Sequence, residues 1–549
     1  MSTVAEVVGA ALVGCGVDAV FGVVGSGNFA VTNAMVAAGA RFVAARHEGG
    51  AATMADAYAR MSGRPAALTV HQGCGLTNAL TGLTEAAKSR TPLVVLAAEA
   101  TSPRSNFHVD QVALATAVGA VPMRVTSARN AVEQVAAAVA TAVGERRTVL
   151  LNLPLDVQDA PALPGPVAGG PVTLPFREIP PAAAEEVERL VAALRGARRP
   201  VFVAGRGARG PGCRAALEEL AARCGALLAT SAVAKGLFAG NPWSLDVSGG
   251  FASPLAAELV SGADLIVGWG CALNMWTMRH GRLIADDAVV VQVDLDREAL
   301  GAHRDVTVGV VGDVRAMAEA ATAALPEGTA TGYRTRENRT AIAERVRWRD
   351  VPFEPAGGAG RIDPRTLTVA LDDLLPAERV VAVDSGNFMG YPSMFLDVPD
   401  EFGFCFTQAF QSVGLGLASA IGAALARPDR LPVAALGDGG ALMGAAELET
   451  VARLGLPMVV VVYNDDAYGA EVHHFGPDGH PLDTVRFPET DLAAIARGYG
   501  FDAVTVRRPE DLGAVAAWVA GPRTAPLLVD AKVAADEPSW WLEEAFRGH

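Results

Sequence analysis

A chain of 549 residues is too long for one hydrophobic core and points to about three domains. It is 51% hydrophobic with a net charge of −15 and shows no basic stripe interleaved with aromatics, so no nucleic-acid partner is expected. No uninterrupted run of 18 apolar residues occurs, so no membrane partner is expected either.

Residues 1–25 are apolar but carry Glu6 and Asp18 and lack a basic leader. They read as a helix and a strand rather than a signal peptide. Gly25-Ser26-Gly27-Asn28 follows, and Ser26 could cap the next helix. Arg46-His47-Glu48-Gly49-Gly50-Ala51-Ala52 then opens a helix whose small residues permit close packing. On its own, Glu48 could be an acid favoured by the dipole in a first helical turn. Val70-His71-Gln72-Gly73-Cys74-Gly75-Leu76-Thr77-Asn78 is a glycine-rich turn after a strand, with His71 at the strand end. The six cysteines, at 15, 74, 213, 224, 271 and 405, form no CxxC pair, which predicts reduced thiols and a cytoplasmic location.

A strand at 148–154 closes the first unit, and a Pro/Gly-rich linker covers 160–181. Pro200-Val201-Phe202-Val203-Ala204 opens the second unit, followed by Gly205-Arg206-Gly207-Ala208-Arg209-Gly210. That GxGxxG run is weak evidence for a dinucleotide, because no acid is clearly placed on a strand end about 20 residues on. A polar stretch at 327–360 leads to the third unit. Strands alternate with helices throughout, so the expected class is α/β, with three consecutive parallel-sheet domains at 1–165, 182–330 and 360–549.

The third unit carries the strongest signal. An apolar run at 431–436 ends at Gly437-Asp438-Gly439-Gly440, and a helix-like segment follows at 445–454. A β-branched run at 458–462 then ends at Asn464-Asp465-Asp466-Ala467-Tyr468-Gly469. This is a βαβ unit with two polar loops at the carboxyl ends of neighbouring strands, where open α/β sheets bind ligands. Asp438 and Asp465 can share one hard cation, Mg²⁺ or Ca²⁺, through oxygen. The glycines let backbone approach a phosphate at a helix N-terminus. Glu471 follows and either serves the cleft or is a solvated helix acid, and His473 and His474 either face the cleft or cap a loop.

This pair of loops resembles the diphosphate–metal motif of the thiamine-diphosphate enzymes. The segment around Glu48 is similar to the amino-terminal signature of that family, and residues 70–82 to its glycine-rich turn. Gln411-Ser412-Val413-Gly414 resembles the loop whose bulky apolar residue holds the cofactor in a V shape. The resemblance runs through the whole chain and points to the acetolactate synthase and 2-oxo acid decarboxylase branch. It implies pyrimidine-binding, central and diphosphate-binding domains in that order. It places Glu48 at N1′ of thiamine diphosphate. Around the same cofactor it places Asn78, Gln411, Val413, Gly437, Asp438, Gly439, Gly440, Asp465, Ala467, Tyr468 and Gly469. Asp438, Asp465 and the carbonyl of Ala467 would hold the metal.

On the substrate side, Ser26 and His71 fall where benzoylformate decarboxylase has a serine and a histidine. Glu471 falls where pyruvate decarboxylase has a catalytic acid, and His280 lies in the region of a further histidine. The implied reaction is non-oxidative decarboxylation of a 2-oxo acid, with the enamine ligated to a second carbonyl as in acetolactate synthase. Simple decarboxylation is the alternative, and flavin-linked pyruvate oxidase or a CoA-dependent 2-hydroxyacyl lyase are more distant ones. The resemblance also implies an active site at a homodimer interface and a homotetramer. FAD is compatible with it but not expected. Two stretches depart from the synthase pattern. Phe107-His108 replaces its FQ pair, and Gly386-Asn387-Phe388-Met389-Gly390 replaces its GQxQxW-like run. Trp540 and Trp541 would pack as a lid or as core.

Overall fold

A computed structural model describes residues 2–163, 181–327, 330–358 and 360–545. The linker expected over 160–181 falls, for 164–180, outside the described residues. The chain builds three six-stranded sheets, and every strand pair in them is parallel. The α/β class is as expected. Strands Ala66–Val70, Leu93–Glu99, Pro200–Ala204 and Val459–Asn464 are buried along their whole length. Parallel sheets covered by helices on both faces require such continuous apolar runs, which accounts for the hydrophobic composition.

Numbered within each sheet by chain order, the first and third sheets both run 2-1-3-4-6-5. They are two copies of one topology. The middle sheet runs 3-2-1-4-5-6, the order of dinucleotide-binding folds. In the first and third sheets the winding reverses between the first and third strands, which opens a crevice at their carboxyl ends.

Helix Glu48–Ser62 ties the first unit to the third. It begins where the His47 imidazole accepts the Gly49 N–H at 3.0 Å, and it ends at Gly63, whose φ of 70° suits glycine. Its small residues let two helices approach closely. A Cβ on Gly82, in helix Cys74–Lys88, would lie 2.7 Å from that of Ala52. A Cβ on Gly422, in helix Gly416–Ala426 of the third unit, would collide with the Met54 carbonyl oxygen. Met54, Ala57 and Tyr58 therefore share one core with Ile421, Ala424 and Leu448.

The polar stretch at 327–360 contains helix Arg336–Arg345, capped by the Thr335 hydroxyl, which accepts the Asn338 N–H at 3.1 Å. Ile342 is its one buried residue and joins the middle unit's core beside Tyr333. A single apolar anchor over ten residues leaves no period to read from sequence. Among the described residues no helix is long and apolar enough to cross a membrane. All six cysteines are free thiols, and all but Cys74 are buried.

Candidate functional site

Two half-sites can be built from strand ends. In the first sheet, strands Arg41–Ala44, Ala19–Gly22 and Ala66–Val70 are neighbours. Their carboxyl ends deliver Glu48, Ser26 and His71. Glu48 is half-buried in the first turn of its helix, and its Oε2 accepts from the Asn78 amide at 3.0 Å. Ser26 is exposed, with Oγ 3.4 Å from His71 Nε2. His71 Nδ1 lies 3.0 Å from the Gln72 carbonyl oxygen, an obligate acceptor, which assigns the ring proton to Nδ1. Nε2 is then left to face the Ser26 hydroxyl. The Phe107 ring meets His71 edge-on at 5.1 Å. Ser26 caps no helix, since the N-cap of helix Phe29–Ala37 is Asn28.

In the third sheet, strands Phe404–Phe406, Arg379–Val383, Leu431–Gly437 and Val459–Asn464 lie side by side. Asp438 opens helix Asp438–Met443, and Asp465 follows the neighbouring strand. Burial pushes Asp438 up to about 6, and burial together with the charge of Asp438 pushes Asp465 up to about 8. A buried acid and a half-buried one facing one another suit a divalent cation between them. Among the described residues no three His, Cys, Asp or Glu side chains gather as a metal site. A cation here would therefore complete its shell with other oxygens, such as the Ala467 carbonyl. That all-oxygen set fits Mg²⁺ or Ca²⁺ rather than a softer metal. The neighbours of Asp465 are engaged elsewhere. Asn464 donates to Asp530 at 2.9 Å, and Asp466 pairs with Arg361.

Several of the remaining predicted residues lie against this centre. Gly469 faces Asp465 so closely that a Cβ would collide with Oδ2. Ala467 bridges Arg486, and Tyr468 packs edge-on against Phe487 at 4.9 Å. Gly437 and Gly439 flank Asp438, and a Cβ on Gly439 would lie 2.7 Å from the Tyr468 ring. Val413 is 39% exposed, and its Cγ1 would lie 3.3 Å from a Cβ on Gly440. Gln411 is exposed in a left-handed conformation, φ 58°. Glu471 is exposed in the first turn of helix Gly469–Phe475. His473 is half-buried, which lowers its pKa, and its Nε2 has no partner. Trp541 is core, donating to the Asn387 carbonyl at 2.9 Å, while Trp540 is 39% exposed beside Trp348. His280 packs edge-on against Trp276.

Three carboxylates that sequence reasoning passed over hold this frame. Asp384, fully buried, accepts the N–H groups of Ser385 at 2.9 Å, Gly414 at 3.0 Å and Leu415 at 3.2 Å, fixing one end of the Val413 loop. Burial pushes its pKa up to about 6. Its only sequence signal was an acid directly after an apolar strand. Glu447 and Glu85 act across the boundary between units. Glu447 accepts the N–H groups of Arg46 at 3.0 Å and His47 at 3.1 Å. Glu85 accepts those of Ala409 at 3.1 Å and Phe410 at 2.6 Å.

The GxGxxG run of the middle unit serves packing. A Cβ on Gly205 would collide with the Gly270 carbonyl oxygen, and one on Gly207 would lie 2.7 Å from Gly270 Cα. Close packing against the chain's own turn at Gly270 accounts for these glycines without a dinucleotide phosphate. Thr230 and Ser231 stand at the end of the second strand of this sheet, where a ribose-binding acid belongs. These residues do not fit FAD bound in that manner.

Comparison with known proteins agrees with the architecture. Residues 2–117 match the thiamine pyrophosphate enzyme N-terminal TPP binding domain, 187–321 the central domain and 384–531 the C-terminal TPP binding domain. The chain is 30% identical to a "probable 2-ketoarginine decarboxylase" of Pseudomonas aeruginosa, over 90% of this chain and 88% of the relative. It is 26% identical to a sulfoacetaldehyde acetyltransferase of Alcaligenes xylosoxydans xylosoxydans, over 91% and 87%. It is 28% identical to an acetolactate synthase large subunit of Parasynechococcus marenigrum, over 89% and 81%. With all three domain types matched in order along three parallel sheets, the chain belongs to the thiamine pyrophosphate (thiamine diphosphate) enzymes.

Proposed function

We propose that the protein uses thiamine diphosphate and a divalent cation, Mg²⁺ or Ca²⁺, to decarboxylate a 2-oxo acid without oxidation and release an aldehyde. The observation that carries this reading is the Ser26–His71 pair, 3.4 Å apart at a strand end beside that of Glu48. Thiamine diphosphate, when bound, supplies at C2 the electron sink that lets CO₂ leave. Asp438, Asp465 and the Ala467 carbonyl would hold the cation and, through it, the diphosphate. Glu48 would hold a proton at N1′, with Asn78 fixing the other carboxylate oxygen. Val413, over Gly440, would keep the two rings bent together. With Nδ1 already protonated against the Gln72 carbonyl, His71 would take up a second proton at Nε2, and this imidazolium would give it through the Ser26 hydroxyl to the carbon vacated by CO₂. Glu471 offers a second carboxyl from the other half-site.

Ligation to a second carbonyl is the second reading, favoured by likeness to an acetolactate synthase over 89% of the chain. In both readings the site closes between two copies, Glu48 coming from one and Asp438 from the other. Two observations support this. Among the described residues no hydrogen bond joins Glu48, Ser26 or His71 to Asp438, Asp465 or Glu471. Large apolar side chains, Phe107, Phe410, Leu442, Met443 and Phe475, are also left more than two-fifths exposed.

The test supplies thiamine diphosphate, Mg²⁺ and, in turn, pyruvate, benzoylformate and 2-ketoarginine, following CO₂ and organic products together. An aldehyde with no coupled product supports the proposal, and a ligated product supports the second reading. CO₂ from none of the three overturns the substrate class.

A further inference from the structure

We propose that Glu85 and Glu447 are reciprocal positioning residues, each reaching across the boundary between the first and third units to seat a cofactor-facing segment of the other. The proposal rests on the thiamine-diphosphate reading of Glu48 and Val413. Glu85 belongs to helix Cys74–Lys88 of the first unit but accepts the N–H groups of Ala409 and Phe410, which lead into the Val413 loop of the third. Glu447 belongs to helix Glu447–Arg453 of the third unit but accepts the N–H groups of Arg46 and His47, the turn that presents Glu48. Both carboxylates are buried, Glu85 at 0% and Glu447 at 3% exposure.

Each is braced from behind. Arg60, on the helix that begins with Glu48, donates to Glu85 at 2.7 Å, to Asp56 at 2.8 Å and to the Phe406 carbonyl at 2.9 Å. Ser89 donates to Glu85 at 3.0 Å, and Thr450 donates to Glu447 at 2.6 Å. Burial alone would raise the Glu85 pKa, but Arg60 and the two loop N–H groups outweigh it and hold the group below its ordinary value. It therefore stays an acceptor-only carboxylate, the form that can take both N–H groups at once. A charge buried at this depth would be costly without such partners. Asp384 grips the other end of the same loop, so Val413 is fixed from both sides.

Helix Glu48–Ser62 carries Glu48 at its start and Arg60 near its end. In the dimer reading Glu48 and Val413 of one chain serve different active sites. One helix would then set a proton-holding group at one site and brace the cofactor prop of the other.

The test uses Glu85→Gln and Glu447→Gln in the full chain, with two readouts. A carboxamide keeps the shape but loses the charge and one acceptor. The first readout is amide hydrogen exchange without cofactor. Exchange at 409–410 should quicken about tenfold or more in Glu85→Gln, and at 46–47 in Glu447→Gln, each leaving the other segment as in wild type. The second is deuterium exchange at C2 of bound thiamine diphosphate. It should slow about 10- to 100-fold in either variant while thiamine diphosphate affinity moves less than about threefold. A merely structural role would shift affinity and melting temperature together and leave C2 exchange on the bound cofactor unchanged.

Wild-type amide exchange in both segments, or wild-type C2 exchange in both variants, overturns the inference. If a variant does not fold, Ser89→Ala and Thr450→Ala each remove one brace and decide it, a smaller change in the same segment being expected and no change overturning it. A wild-type protein that neither binds thiamine diphosphate nor exchanges its C2 proton overturns the cofactor reading instead. The amide arm then still judges the seats on their own.

Discussion

His71 has one nitrogen committed to a backbone carbonyl and the other turned to a hydroxyl, so proton exchange falls to Nε2. His71→Ala is expected to lower kcat about 10²-fold or more, with a smaller loss in Ser26→Ala, while the apparent KM for thiamine diphosphate stays within a few-fold. Comparing steady-state constants with CO₂ yield checks this, and a His71→Ala enzyme at wild-type kcat would remove His71 from the chemistry. Asp438 and Asp465, the proposed metal carboxylates, give a pH prediction. Both folded pKa values lie above the ordinary carboxylate value, so the metal-free folded state keeps protons that the unfolded state releases. Metal-free stability should therefore fall as pH rises from the ordinary carboxylate range towards about 8. A cation competes with those protons, so Mg²⁺ should raise Tm more at about pH 8 than at about pH 5. Scanning calorimetry at both values, with chelator and with Mg²⁺, reads the difference. Equal increments, or an undiminished increment in Asp465→Asn, would sink the assignment.

Between elements, the close approach of helices Glu48–Ser62 and Gly416–Ala426 depends on a bare Gly422 against the Met54 carbonyl. Gly422→Val should cost about 1–3 kcal/mol through overpacking and lower Tm by several degrees. A Tm within about a degree of wild type would show that the interface yields more easily than its packing indicates. The same scale explains what sequence could show. The loops carrying Asp438 and Asp465 were legible because their glycines and acids sit in contiguous runs directly after apolar strands. Ser26, His71 and Glu48 were read only through resemblance to the thiamine-diphosphate enzymes, and the first sheet brings them to neighbouring strand ends. Asp384, Glu85 and Glu447 were not. Their partners lie 30, 324 and 401 positions away, and an acid that binds distant backbone leaves no spacing to recognise. The GxGxxG run fails for a related reason. Glycines that admit a phosphate and glycines that admit the turn at Gly270 look identical until strand order puts those loops side by side.

For the whole molecule, the first and third units are two copies of one sheet topology that share a common core, and in the proposed reading each would supply half of a site. If the halves meet only across two subunits, two inactive variants must rescue one another. Glu48→Gln disables the pyrimidine half of its chain, and Asp438→Asn disables the diphosphate half of its own. In a hybrid dimer one site combines both lesions and the other combines two intact halves. Random pairing of equal amounts makes half of the dimers hybrid, each with one working site of two, so co-expressed variants should regain about a quarter of wild-type activity. Each variant alone should show almost none. Differently tagged copies, purified in tandem so that only hybrids remain, should reach about half. If the halves instead met within one chain, the hybrid would hold two damaged sites and no rescue would appear at any mixing ratio.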